Sequence, residues 1–288
     1  MTEPQRKWTV IELLKWTTDY LSQKSFANAR LNAEQLLCHV LHLRRVDLYV
    51  NFDRPLSLVE LNTFKTLLKR RLAHEPLQYI IGETEFFSLS FKVGPAVLIP
   101  RPETELLVEK VIEYGRSLPD GRLLDLGTGS GCMAVTLAKG LPQFRITAID
   151  KSERALALAA ENAERHQVSD RVEFVQWDYT TTVSPFTQPF DILAANPPYV
   201  RQTDFNLLAA EIKDYEPAEA LLAGEDGLEA FRHIQRWLPL LLKPQGQAFV
   251  EIGADQAHAV TALFPQAAIF ADLAGRDRLM ILAEVKVP

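Results

Sequence analysis

Asn196-Pro197-Pro198-Tyr199 follows directly on an apolar run, Phe190-Asp191-Ile192-Leu193-Ala194-Ala195. Its groups suit one kind of chemistry. The carboxamide oxygen of Asn196 and the main-chain carbonyl of Pro197 can each accept one N–H of a planar –NH2 group. A nitrogen held in this way is drawn out of conjugation, and its lone pair is freed to attack an electrophilic carbon. Pro198 stiffens the segment, so little ordering is left for the moment of binding. Tyr199 offers a flat ring to the face of such an acceptor. No strong base is required before transfer, because the nitrogen can lose its proton afterwards. An isolated Asn-Pro is an ordinary turn initiator; a second motif upstream gives this one a partner.

That motif is Asp125-Leu126-Gly127-Thr128-Gly129-Ser130-Gly131, again at the end of an apolar run and just before a helical pattern. Gly127, Gly129 and Gly131, with Thr128 and Ser130 between them, let the backbone pass close under a ligand where a Cβ would clash. Asp150 ends the next strand about twenty residues on, where an acidic side chain accepts bonds from ribose hydroxyls. Trp177 and Asp178 follow the third strand, Asp178 suited to an adenine amino group and Trp177 to cover the ring. Cys132 stands where the dinucleotide fingerprint needs its third glycine, and no Gly-Lys-Ser/Thr follows. A ribose and an adenine without a pyrophosphate describe S-adenosylmethionine. The two motifs together predict methyl transfer to an amide or an exocyclic amine, with Asn196 bordering both donor and acceptor.

The elements that must position these residues alternate along the chain. Strand-like runs cover 122–126, 145–149, 172–176, 190–195, 247–252, 267–270 and 279–285, with helical patterns at 132–140, 152–167, 227–242 and 254–263. Such alternation predicts an α/β domain over 101–288, a seven-stranded, mostly parallel sheet with helices on both faces. The short connection 271–278 leaves little room for a helix, so the final strand is expected to be antiparallel. Residues 1–82 read instead as a helical bundle: Thr9 with Glu12 and Ser57 with Glu60 have capping-box spacing, and Val10, Leu13, Leu14, Leu36, Leu37, Leu58, Phe64 and Leu68 recur at helical intervals. Between them, 83–100 is expected to be a linking β-hairpin, with Gly94-Pro95 as the turn before Val97-Leu98-Ile99.

Composition narrows the classes. The chain has 288 residues, 47% hydrophobic and 24% charged, with a net charge of −6; it can bury a core, and stable nucleic-acid binding through phosphate neutralisation is not expected. Cys38 and Cys132 lack metal-ligand spacing, as does the group Cys38, His39 and His42, so no metal is expected. The start, Met1-Thr2-Glu3-Pro4-Gln5-Arg6-Lys7-Trp8, has no apolar signal core, and the leucine-rich run at 238–242 is too short for a membrane span. A reduced, cytoplasmic setting is expected. Lys69-Arg70-Arg71 reads as a solvated helix face. Glu103 and Glu105 sit where a helix dipole favours carboxylates, and could equally reach a substrate; Arg101 suits an interdomain ion pair.

Taken with Ile99-Pro100-Arg101-Pro102-Glu103-Thr104-Glu105, the two motifs resemble the HemK/PrmC family, and the likeness extends through Glu75-Pro76-Leu77-Gln78-Tyr79-Ile80 and the loop from Glu216-Pro217 to Gly227. The resemblance implies a Rossmann-like class I S-adenosylmethionine-dependent methyltransferase domain. It also implies methylation of the glutamine side chain in the Gly-Gly-Gln motif of class I peptide chain release factors, with 1–82 helping to dock that protein. Gly127 to Gly131, Asp150 and Trp177 would then bind the donor, and Asn196, Pro197, Pro198 and Tyr199 the glutamine. Asn-Pro-Pro-Tyr is shared with nucleic-acid adenine amino-methyltransferases, which is the alternative reading.

Overall fold

The computed structural model describes residues 7–283. The first six residues of the expected N-terminal reading, and positions 284 and 285 of the expected last strand, lie outside the described residues. The chain divides into two compact units, Met1–Gly82 and Glu83–Pro288.

In the first unit the described residues form α1 (Val10–Gln23), α2 (Ala29–Leu41), α3 (Arg45–Val50), α4 (Leu58–Leu72) and α5 (Leu77–Ile81). Both capping boxes form: Thr9 N donates to Glu12 Oε2 at 3.0 Å and Ser57 N to Glu60 Oε2 at 2.7 Å, which satisfies donors left over at the helix starts. Val10, Leu13, Leu14, Leu36, Leu37, Phe64 and Leu68 close one core. Leu58 departs from the expected pattern, being first in its helix and 61% exposed. The basic run is not a uniformly solvated face either. Arg71 is buried and its Nε donates to Asn32 Oδ1 at 2.7 Å, while Arg70 pairs with Glu75 at 2.6 Å.

The second unit begins with a hairpin, β1 (Glu83–Phe86) and β2 (Leu89–Lys92). Its turn is not Gly94-Pro95, and 97–99 is not a strand. The two loop residues are Phe87 and Ser88, at φ 51° and 59°. Positive φ at both positions matches the right-handed twist of paired strands, and Phe87 N donates to Glu105 Oε1 at 2.8 Å. Glu105 therefore anchors the hairpin to the helix that carries it.

There follow α6 (Thr104–Gly115), β3 (Gly121–Leu126), α7 (Cys132–Gly140), β4 (Phe144–Asp150), α8 (Glu153–Arg165), β5 (Val172–Gln176), β6 (Phe190–Ala195), short α9 (Gln202–Phe205) and α10 (Ala210–Lys213), α11 (Glu229–Leu241), β7 (Leu242–Glu251), α12 (Ala257–Leu263), β8 (Ala268–Ala271) and β9 (Asp277–Ala283). The seven-stranded sheet has the order β5-β4-β3-β6-β7-β9-β8. Strands β3 to β7 are parallel to one another, and β9 lies antiparallel between β7 and β8. Successive strand residues point to opposite faces, so Leu123, Ile192, Ala194 and Phe249 join one core with α6, α7 and Ala163 of α8, while Leu124, Leu193, Ala195 and Val250 join another with α11 and α12. Strand order reverses between β3 and β6. Ligands bind at the carboxyl ends of strands at such a switch point.

Candidate active site

A cavity of about 330 Å³ opens at that edge of the sheet. Gly127, Thr128, Gly129 and Ser130 line it after β3, Asp150 after β4, Asp178 after β5, and Asn196, Pro197 and Pro198 after β6. Parallel strands deliver their ends to one edge, which is how residues up to 71 positions apart, Gly127 to Pro198, share one wall.

The glycine turn is held from below. Gly127 N and Thr128 N both donate to Ile149 O, at 2.9 and 2.7 Å, and Thr128 Oγ1 donates to Asp125 Oδ2 at 2.6 Å. Burial pushes the Asp125 carboxyl up to about 7, against the pull of the Thr128 hydroxyl. Gly127 and Gly129 have φ of 80° and 54°, and a Cβ added at either would meet no protein atom within 4 Å. Since both line the cavity, that Cβ would project into the space a ligand would use. Gly131 does not line the cavity. A Cβ there would lie 2.9 Å from Ala159 Cβ, so its glycine serves the contact between the turn and α8.

Asp150 Oδ2 accepts from Gly129 N at 3.0 Å and Oδ1 from Ser152 N at 2.9 Å. Burial raises its carboxyl above the ordinary aspartate range, offset by those two N–H groups. A carboxylate has about four lone-pair sites, so acceptors remain for a ligand's hydroxyls. Asp178 accepts from both the N and Oγ1 of Thr180, at 2.9 and 2.7 Å, in an Asx turn at the cavity wall.

Trp177 is not brought to the cavity. It is 7% exposed, donates from Nε1 to Val183 O at 2.9 Å, and meets Trp237 and Phe186 edge-on in the core. Trp177 lies one residue past the end of β5 and turns inward, while its neighbour Asp178 stays half-buried at the cavity wall. Tyr179 and His233 line the cavity instead, their rings edge to face at 6.3 Å.

After β6, Asn196 Nδ2 donates to Thr104 Oγ1 at 2.9 Å, and Thr104 Oγ1 donates to Glu251 Oε2 at 2.6 Å. The register Ala195↔Val250 sets the ends of β6 and β7 level, so residues 196 and 251 emerge side by side. Burial pushes the Glu251 carboxyl up to about 7, opposed by the Thr104 hydroxyl and by Arg278. Tyr199 does not line the cavity. Its hydroxyl lies 3.4 Å from Glu251 Oε1 as donor, its carbonyl accepts from Gln256 Nε2 at 3.1 Å, and its ring packs against the core. The next residue is pinned to the 217–223 loop: Val200 N donates to Leu221 O and Ala223 N to Val200 O, at 2.8 and 2.9 Å. Arg101 lines the cavity and pairs at 2.6 Å with the buried Glu216, which also accepts from Ile99 N. Both partners belong to the second unit, so the pair is not an interdomain one.

Sequence reasoning missed Thr104, Glu251, Tyr179 and His233. Thr104 lies inside the Arg101–Glu105 stretch, where a threonine between two carboxylates at a helix start carries no signal of its own. Glu251 carried one readable signal, a carboxylate closing an apolar parallel strand. Among the described residues no cluster of three or more His, Cys, Asp or Glu side chains could hold a metal ion, and no helix is long and apolar enough to cross a membrane.

A seven-stranded sheet with one antiparallel strand inserted near its edge, and a glycine turn after the strand at the switch point, is the fold of class I S-adenosylmethionine-dependent methyltransferases. Two solved structures share it: the hMettl16 catalytic domain (TM-score 0.53, 17% identity, 82% of this chain and 87% of that one) and the T. thermophilus 16S rRNA methyltransferase RsmC, in complex with AdoMet and guanosine (TM-score 0.51, 16% identity, 70% and 50%). The model of the PrmC N-terminal domain matches residues 12–82, and that of the methyltransferase small domain residues 102–221. Release factor glutamine methyltransferase of Geobacter sulfurreducens is 44% identical over 92% of this chain and 91% of its own length. That of Chlorobaculum tepidum is 42% identical over 94% of each. The chain belongs to the release factor glutamine methyltransferase family.

Proposed function

We propose that this chain transfers a methyl group from S-adenosylmethionine to the side-chain amide nitrogen of the glutamine in the Gly-Gly-Gln motif of class I peptide chain release factors. The observation that carries the reading is the orientation of Asn196. With Nδ2 donating to Thr104, Oδ1 is the end of the amide left to accept, next to Pro197 in the wall that also holds the glycine turn.

The residues present fit the donor. Gly127 and Gly129 leave open a space that side chains would fill. Asp150 retains lone pairs for ribose hydroxyls, and Asp178 with the Tyr179 ring provides a polar edge and a flat face for adenine, the place first expected of Trp177. Bound there, S-adenosylmethionine supplies a methyl group made electrophilic by its sulfonium. Asn196 Oδ1 and the Pro197 carbonyl accept the two N–H groups of the glutamine amide, which favours a pyramidal nitrogen. Pro198 keeps both acceptors in place before substrate arrives, so ordering costs little at the moment of reaction. The helical unit, residues 1–82, would dock the body of the release factor, and a substrate from the translation machinery makes the cytoplasm the setting.

The test is direct: purified protein, labelled S-adenosylmethionine and a class I release factor, followed by peptide mass spectrometry. One methyl group on the Gly-Gly-Gln glutamine is the expected result. Methylation of adenine in a parallel reaction with duplex DNA, with none on the release factor, would reverse the assignment in favour of a nucleic-acid amino-methyltransferase.

A further inference from the structure

An amide side chain has two ends of nearly the same shape and opposite hydrogen-bonding sense. Only one of them, the oxygen, can accept an N–H from a substrate. Nothing in the shape of Asn196 decides which end faces the cavity, so a neighbour must.

A hydroxyl has one hydrogen to give. The Thr104 hydroxyl gives its hydrogen to Glu251 Oε2 at 2.6 Å, and so can only accept from Asn196, whose Nδ2 lies 2.9 Å away. Thr104 is 3% and Glu251 1% exposed, so water does not compete for either bond. Turning the amide over would bring Asn196 Oδ1 against a Thr104 oxygen with no hydrogen between them. We propose that Thr104 and Glu251 are positioning residues for methyl transfer, a buried relay that holds the Asn196 carbonyl toward the substrate amide. The proposal rests on the reading of Asn196 as the acceptor of that amide's N–H.

The relay has a direction, and one proton reverses it. If Glu251 is protonated, its O–H can donate to Thr104 Oγ1, the Thr104 hydrogen is released to Asn196 Oδ1, and the amide presents its NH2 to the cavity. Methyl transfer then requires the ionised carboxylate. The groups facing Glu251 are Arg278 on β9, Tyr199 after β6, and Glu103 beside the start of α6. Arg278 favours the ion, Tyr199 donates to it, and Glu103 opposes it, while burial is the dominant influence and holds the carboxyl at about 7. The rate should therefore rise with pH through about 7 and level off above it.

The experiment is single-turnover methyl transfer to a release factor across about pH 5.5 to 9, with S-adenosylmethionine affinity measured by calorimetry on each variant. For Thr104→Val, which keeps the shape and removes the hydroxyl, transfer is expected to fall roughly ten- to a hundredfold with donor affinity within about threefold. Thr104→Ser should recover most of the rate. Glu251→Gln should be slower at pH 8 and lose the inflection near 7, since its amide cannot ionise. A purely packing role predicts that Ser does no better than Val, and that result overturns the proposal. So does a wild-type profile without an inflection between about 6 and 8, which needs no variant to fold. Wild-type protein that binds donor but leaves the glutamine unmodified at every pH would instead remove the functional reading, and this inference with it.

Discussion

Asp150 reaches back to the glycine turn: its Oδ2 accepts the main-chain N–H of Gly129 at 3.0 Å. The carboxylate that faces the cavity thus also holds the loop beneath it, and one side chain couples the ends of β3 and β4. Asp150→Ala removes both functions. S-adenosylmethionine affinity is expected to fall about ten- to a hundredfold, the worth of one or two hydrogen bonds to a charged group. Calorimetric titration checks it, and unchanged affinity would take Asp150 out of the donor site.

Gly131 and Gly129 share a turn but answer to different constraints. Gly131→Ala puts a Cβ 2.9 Å from Ala159 Cβ at φ 77°, and 3.1 Å from Ala159 Cα, neither of which can swing aside. A loss of about 1–3 kcal/mol is expected, a fall in Tm of roughly 3–10 °C for a unit of this size. Gly129→Ala meets no protein atom. It should cost less stability and more donor affinity. Thermal unfolding and donor titration on the two variants separate the cases.

Asn162 is fully buried on α8 and ties three segments together. Its Nδ2 donates to Ser130 O at 2.8 Å and Lys92 O at 3.0 Å, and its Oδ1 accepts from Lys92 N at 2.8 Å. Asn162→Leu keeps the bulk and takes the partner from three main-chain groups, of which the Ser130 carbonyl is buried away from water and the two of Lys92 lie on an exposed residue. A buried unmet group costs about 1–3 kcal/mol and a hydrogen bond exchanged for water about 0.5–1.5, so a destabilisation of roughly 2–5 kcal/mol is expected in urea unfolding. A loss under about 1 kcal/mol would mean that the hairpin and the turn do not depend on this residue.

The buried Asp125 makes stability depend on pH. Its carboxyl is raised from 3.8 to about 7 by burial, so between those values the folded state holds a proton that the unfolded state has lost. Stability from this group is complete below about 4 and declines as pH rises toward 7. Asp125→Asn cannot ionise. Relative to the parent, the variant should gain stability as pH goes from about 4 to about 7 and show a constant difference above that. Urea unfolding across that range decides it, and a difference that does not vary with pH would contradict the buried, raised carboxyl.

Much of the α/β unit was legible residue by residue. Strands at 172–176 and 190–195 and the helix at 132–140 have the expected bounds, because a continuous apolar run bounded by turn residues leaves few alternatives. The hairpin was harder to place. Phe87-Ser88 is not a sequence that favours positive φ, and what sustains it is the Glu105 carboxylate 18 residues on. Arg71 likewise looks like part of a charged helix face until Asn32, from another helix, takes its guanidinium.

Amino-acid order by itself determined that a glycine turn and an Asn-Pro-Pro-Tyr segment close two strands, since strand ends and tight turns depend on local backbone preference and apolar patterning. Which way the side chains near those ends point was a tertiary decision. Trp177 went into the core beside Trp237 and Tyr179 to the cavity, because the chain leaves β5 at Gln176 and turns at Asp178–Thr180. Asn196 has a defined orientation only because the Ala195↔Val250 register sets Glu251 beside it, with Thr104 from a third element between them. A hydrogen-bond relay needs donors and acceptors within about 3 Å in a fixed order, and residues 104, 196 and 251 acquire that order only when the sheet and α6 have assembled.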